Sequence, residues 1–329
     1  MKSLREDFMK HTGLRKRDPM KYIIDMDIGD DIDDAIALYA AMRRGLDIIG
    51  VTTVFHNTQE RARQAKRLLK EYGNGYESVP VFAGYGAPLG TEDQTWGHIP
   101  HYSSELESNL YDPDGSAPEE AVDFIIRSCH QYGKGLTVIA IGAFTNLARV
   151  IEKDAKALNL ASRVAIMGGA YYKQYADWNV TCDVDAADTI FRKLDNLVCI
   201  GADVTHLTVG EDKLYHNLLN YQGQDKGHLY LTELCHLWKK DRPTAKLLLH
   251  DPLVIYYLTN PEVCGMKPAS VAVITEGFAK GMTLNVDAYG KMRFHPDVYR
   301  NFDMNHKASV AATVNCELLN RLIFDDFNV

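Results

Sequence analysis

The sequence predicts an α/β fold: an open, mostly parallel, Rossmann-like sheet with helices on both faces and a small helical cap. Three observations lead there. Short runs rich in β-branched residues alternate with segments of helical periodicity from residue 21 to about 202. The first run, Lys21–Asp27 (KYIIDMD), sets Tyr22, Ile23, Ile24 and Met26 on both sides of the chain and reads as a buried strand. No Gly/Ser/Pro-rich linker and no internal repeat divides the chain, so a single domain is expected over residues 21–329, behind a basic arm at 1–20.

Element by element, the alternation reads as follows. After the first strand, Asp33–Arg44 (DDAIALYAAMRR) has helical periodicity, Asp47–Val54 is a second strand, Thr58–Tyr72 a charged amphipathic helix and Val79–Ala83 a third strand. A long loop containing Trp96 and His98 runs to Ser116. Pro118–Tyr132 is helical, Leu136–Ile141 and Val164–Met167 are strands flanking a helix near Asn146–Ala157, and Ala186–Leu194 leads into a strand at Leu197–Ala202. From Glu211 to Leu249 the chain is helical, polar and aromatic, which suggests a cap, and Asp251–Leu258 begins another helix. Val271–Thr275 and Met282–Val286 read as a terminal strand pair, and Ala308–Phe324 as a closing amphipathic helix.

Composition narrows the function. The 36 basic and 44 acidic side chains among 329 residues give a net charge of -8, the wrong sign for a protein that neutralises nucleic-acid phosphates. No apolar run approaches the ~20 residues of a membrane span, and the opening MKSLREDFMKHTGLRKR has no apolar signal core, so a soluble cytoplasmic protein without membrane partners is expected. Six cysteines stand far apart without zinc-ligand spacing and read as free thiols.

The informative segment follows the first strand. Asp25, Asp27, Asp30, Asp31, Asp33 and Asp34 fall within ten residues, at the carboxyl end of a strand, where open α/β sheets bind ligands. Two like charges ~4 Å apart repel by roughly 4 kcal/mol at an effective dielectric near 20. A helix N-terminus offsets only ~0.3–1 kcal/mol per charge, so a divalent cation is the economical remedy. All-oxygen ligation selects Ca²⁺ or Mg²⁺ over zinc. An EF-hand is excluded, because Asp30 stands where its loop requires Gly and Ile36 where it requires Glu.

The string DMDIGDDIDDAIAL resembles the aspartate signature of the inosine–uridine preferring nucleoside hydrolases, in a variant with a longer turn. Further similar segments follow in the family's order: TTVFHN (Thr52–Asn57), GAFTNLA (Gly142–Ala148), MGGAYYKQYADWN (Met167–Asn179), LHDPL (Leu249–Leu253) and GMTLNVD (Gly281–Asp287). The resemblance runs from Tyr22 to Asp287. It implies Ca²⁺-dependent hydrolysis of the N-glycosidic bond of ribonucleosides, a nucleoside as the small-molecule partner, a role in purine or pyrimidine salvage, and a homodimer or homotetramer. It also implies Asp27, Asp34, the carbonyl of Thr145 and Asp251 as metal ligands, and Asp27 as general base. Asp33, Asn57, Met167, Asp177 and Asn179 would hold the ribose, and His250 would protonate or stabilise the departing base. His98 and Trp96 are further candidates for the base side, whereas Trp178 reads as packing.

The sequence also departs from the family. Asp31 could compete with Asp27 for the metal, Asp177 stands where Glu is common, and the loop before it is short, with Gln174 its one amide. Two alternatives stay open on sequence. One is a phosphatase of the haloacid-dehalogenase type with Asp25 as nucleophile and Asp27 as acid/base, although the other motifs of such enzymes are not evident. The other is a non-catalytic protein that binds a nucleoside or a metal on the same fold.

Overall fold

In the computed structural model of the chain, the described residues are 20–90, 109–210, 212–289 and 308–327. The basic arm through residue 19 and the loop bearing Trp96 and His98 lie outside them.

The main elements of the first half are β1 (Lys21–Met26), α1 (Asp33–Arg43), β2 (Asp47–Thr53), α2 (Thr58–Tyr72), β3 (Val81–Ala83), α3 (Pro118–Tyr132), β4 (Leu136–Ala140), α4 (Thr145–Lys153), a single helical turn at Ala157–Leu160, and β5 (Arg163–Met167). The second half continues with α5 (Trp178–Cys182), α6 (Val184–Lys193), β6 (Leu197–Ile200), α7 (Ala202–Thr205), α8 (Asp212–Leu219), α9 (Lys226–Asp241), α10 (His250–Thr259), β7 (Cys264–Ala269), β8 (Val271–Val273), β9 (Thr283–Asn285), β10 (Ala308–Val314) and α11 (Cys316–Phe327). The main sheet has eight strands in the order β3-β2-β1-β4-β5-β6-β10-β7, all parallel except the β10–β7 pair.

Alternation along β1 sorts its side chains between the two faces. Tyr22, Ile24 and Met26 join the core under α1, α2, α9, α10 and α11, while Ile23 joins the core under α3, α4 and α6. Chain order reverses between the neighbours β1 and β4, which makes their carboxyl ends the natural place for a ligand crevice.

Two expectations fail at the far edge. Ala308–Val314 is a strand, and the closing helix begins only at Cys316. The run ASVAATV pairs on both sides, in parallel with β6 and antiparallel with β7; this tertiary pairing overrides its alanines. β7 has no counterpart among the expected strands, because CGMKPA contains a proline and few apolar residues; as an edge strand it tolerates both. The expected pair at residues 271–286 does form, as a separate two-stranded antiparallel sheet. Five cysteines are buried and Cys316 is half-buried, all of them free. Among the described residues no helix is long and apolar enough to cross a membrane.

Candidate active site

A cavity of about 370 Å³ opens at the carboxyl ends of β1, β4, β5 and β6. Asp27, Asp30, Asp31, Asp33 and Asp34 line it from the first turn, Ile141 from the end of β4, and Met167, Asp177 and Asn179 from β5 and the start of α5. His206 follows α7, and His250 and Asp251 open α10.

The aspartate turn is shaped by its own helix and by an arginine. Asp33 and Asp34 form the first turn of α1, and the Asp27 amide donates to Asp34 Oδ1 at 3.2 Å. Arg61, fully buried on the apolar face of α2, donates to the carbonyls of Asp27, Ile28 and Phe55 and pairs with Asp30 Oδ2 at 2.6 Å. Gly142 lets the β4–α4 turn pass beside Asp27, since a Cβ there would lie 2.8 Å from Asp27 Oδ1.

At the floor, buried carboxylate oxygens of Asp33, Asp34 and Asp251 lie within 4.8 Å of one another. Among the described residues none of the three forms an ion pair. Burial, reinforced by the neighbouring aspartates, pushes all three carboxyls well above the usual range. Burial likewise raises Asp27 to about 7, against the pull of Arg61. Such a cluster either holds protons or holds a cation, and hard carboxylate oxygens suit Ca²⁺ or Mg²⁺. The donor set therefore fits a divalent metal.

The remaining expected residues divide. Asp177 is buried, accepts from the Val180 amide at 3.3 Å as the N-cap of α5, and is raised by burial to about 6. Asn179 Nδ2 donates to the carbonyl of Ile141 at 2.9 Å and to that of Met167 at 3.2 Å, tying β4 to β5 under the cavity. Thr145 does not line the cavity; its hydroxyl donates to Asp183 Oδ2 at 2.7 Å, and the residue of that turn that reaches the cavity is Ile141. Asn57 is also outside, because its side chain caps α2 by accepting from the Glu60 amide.

His56 takes the cavity position instead, on a turn where Phe55 and His56 both have left-handed backbone, at φ 66° and 58°. That conformation costs side-chain-bearing residues of order 1–3 kcal/mol each. Amide bonds to Tyr85 and Gly86 carbonyls and the Arg61 bond to Phe55 hold it. Trp178, read as packing, stands 59% exposed on the cavity rim, its ring edge-on to Phe55. Gln174 does not line the cavity.

His250 Nδ1 lies 2.6 Å from Thr205 Oγ1, and its ring meets His206 edge to face at 5.5 Å. Burial, with His206 beside it, lowers its pKa to about 4. Among the described residues of the cap only Arg242 reaches the cavity, paired with Asp31 Oδ2 at 3.1 Å. The cap aromatics point elsewhere: Tyr230 is buried beneath the Arg67 guanidinium, and His236 is bonded to the Leu219 carbonyl. Sequence reading passed over Arg61, His56, His206 and Arg242. Only Arg61 left a signal, as a charge in register with Ala62, Ala65 and Leu68 on a buried helix face.

Asp25 is no nucleophile. It lies outside the cavity lining, fully buried, and accepts from Thr52 Oγ1 at 2.6 Å and Asn146 Nδ2 at 2.7 Å. The family model for inosine-uridine preferring nucleoside hydrolases matches residues 22–321. The chain belongs to that family. It is 30% identical over 279 residues to uridine nucleosidase 1 of Arabidopsis thaliana, covering 80% of this chain and 81% of the relative. It is 26% identical to the inosine-uridine preferring nucleoside hydrolase of Leishmania major, over 81% and 87% of the two chains. The solved structure of a plant nucleoside hydrolase superposes with a TM-score of 0.78 at 25% identity, covering 94% of this chain and 99% of the other. The protein is thus an N-ribosyl hydrolase, a nucleosidase that cleaves the N-glycosidic bond of ribonucleosides.

Proposed function

We propose that this nucleosidase works with a Ca²⁺ ion held by Asp27, Asp34 and Asp251, and that the nearby carbonyl ligand is Ile141 rather than Thr145. The observation that carries the reading is the convergence of five buried aspartates, Asp27, Asp33, Asp34, Asp177 and Asp251, and of His250 on one cavity. When bound, the cation neutralises the carboxylates and makes a water easier to deprotonate.

The chain's own residues supply the rest. Asp27, at the cavity wall, accepts the proton of the attacking water as general base. Asp33 has one oxygen engaged by the Asp251 amide at 3.2 Å, which leaves the other to accept from ribose hydroxyls. Asp177, Asn179 and Met167 hold the remainder of the sugar, with His56 in the place expected of Asn57. The carboxylates around the ring favour the positive charge that develops at the anomeric carbon, while His250 meets the departing base. Asp31, half-exposed and paired with Arg242, stays at the rim and leaves the metal to Asp27.

Incubation with a panel of purine and pyrimidine ribonucleosides tests the reading. Free base and ribose should appear in equal amounts, the rate should vanish with chelator, and Ca²⁺ should restore it. Undiminished turnover after chelation would remove the metal from the account; saturable binding without products would make this chain a binding protein on a hydrolase fold.

A further inference from the structure

We propose that Thr205 is a positioning residue for His250: its hydroxyl donates to Nδ1 and so fixes the tautomer that carries its proton on Nε2, the nitrogen left to serve the cavity. This inference rests on the reading of His250 as the group that meets the departing base.

A threonine hydroxyl within a helix tends to bond back to the carbonyl three or four residues earlier. Thr189, Thr232 and Thr259 do so, onto the carbonyls of Asp185, His228 and Ile255. Thr181 does the same over three residues, onto Trp178. Thr205 does not. It ends the short helix α7 and is fully buried, and its hydroxyl goes to a ring 45 residues away, His250 Nδ1 at 2.6 Å. Among the described residues this is the one side-chain hydrogen bond made by either partner.

The chemistry of the two groups sets the direction. A neutral imidazole has one donor nitrogen and one acceptor, and the partner of one nitrogen decides the role of the other. A hydroxyl that makes no other hydrogen bond among the described residues has its proton free for Nδ1. The ring is then obliged to carry its own proton on Nε2. His206, the next residue along the chain, sets its ring edge to face against His250 at 5.5 Å and is itself met by Tyr175 at 4.9 Å, which restrains the imidazole from a second side. In this arrangement His250 donates a hydrogen bond from Nε2 to the base as the C–N bond breaks. The electron pair of that bond stays on the base, the proton of the attacking water goes to Asp27, and the base takes its proton from solvent after release. His250 ends the step as it began.

Three variants and two substrates test the proposal. His250→Ala, Thr205→Val and Thr205→Ser are assayed on uridine and on p-nitrophenyl riboside, whose leaving group needs no such donor. Thr205→Val should lower kcat on uridine by about 10–100-fold, by analogy with removal of the hydrogen-bond partner that orients a metal-bound histidine. Its rate on p-nitrophenyl riboside should hold, and Thr205→Ser should return uridine turnover close to wild type. Nitrogen-15 NMR of the His250 ring should show Nε2 protonated in the wild type and in Thr205→Ser, and a mixture of tautomers in Thr205→Val. Should Thr205→Val lose both activities by unfolding, Thr205→Ala and the NMR comparison take its place. If His250→Ala slows both substrates alike, the role of His250 falls and the proposal falls with it. If His250→Ala discriminates between the substrates while Thr205→Val does not, or the tautomer is unchanged in Thr205→Val, the proposal alone is overturned.

Discussion

Helices α1 and α10 run side by side, touching at one end through Asp33 and the Asp251 amide and at the other through Arg44 and Asn260, and the two ends treat buried charge differently. At the far end Arg44 and Asp326 form a buried ion pair. Arg44 also donates to Asn260 Oδ1 and the Leu322 carbonyl, and the Tyr256 hydroxyl bonds Asp326 at 2.9 Å. Charge and hydrogen bonds are satisfied there by the chain itself. At the cavity end Asp33, Asp34 and Asp251 crowd together without an ion pair among the described residues, and the positive ends of two helix dipoles offer only about 0.3–1 kcal/mol apiece. One end is complete as folded, whereas the other leaves three crowded carboxyls without a counter-charge among the described residues, where the proposed cation would sit.

The largest expected effect separates chemistry from architecture within the acidic turn. Asp27→Asn should lower kcat by about 10²–10⁴-fold with the fold retained, because it removes the proposed base. Asp31→Asn should stay near the wild-type rate. The reverse ranking would transfer the role of base to Asp31.

At the complete end the effect should be on stability alone. Asp326→Ala leaves Arg44 buried without its partner and should cost about 3–5 kcal/mol in denaturant unfolding, with kcat unchanged at temperatures where the variant is folded. A similar loss of kcat would mean that the two ends are coupled along α1.

A third contrast involves a group between the ends. His228 on α9 stacks on Tyr221 at 3.8 Å and abuts Tyr39 of α1, and burial lowers its pKa to about 4. Between pH 6.5 and 4 the unfolded chain therefore binds a proton that the folded one refuses, so stability falls as pH falls through that window. His228→Phe should flatten this part of the pH–Tm profile, and an unchanged slope would assign the acid sensitivity to other groups.

The smallest effect belongs to the rim. Arg242 and Asp31 are both about half-exposed, so Arg242→Met should change stability by no more than ~1 kcal/mol.

What was legible in the sequence follows the same division. The strand–helix alternation and the aspartate turn are local patterns, and both stand in the structure, with α2 and α3 at their expected bounds. Which residue of a turn points inward is not local. The TTVFHN turn was found, yet left-handed backbone at Phe55 and His56 sends His56 to the cavity and leaves Asn57 as a cap. The GAFTNLA turn was also found, yet Thr145, one step inside α4, bonds Asp183. The Arg242–Asp31 pair joins residues 211 apart, and the Thr205–His250 bond joins two elements that only tertiary packing brings together.

The central claim is that the cavity floor is completed by a divalent cation, and thermal unfolding of the wild type and Asp34→Asn, each in chelator and in Ca²⁺, tests it most directly. The account predicts that Ca²⁺ raises the wild-type Tm, since a ligand bound only by the folded state stabilises it. It further predicts that Asp34→Asn, relieved of one crowded carboxylate, unfolds at a higher temperature than the wild type in chelator and no longer responds to Ca²⁺. A wild type indifferent to Ca²⁺, or an Asp34→Asn variant less stable than the wild type in chelator, would contradict it.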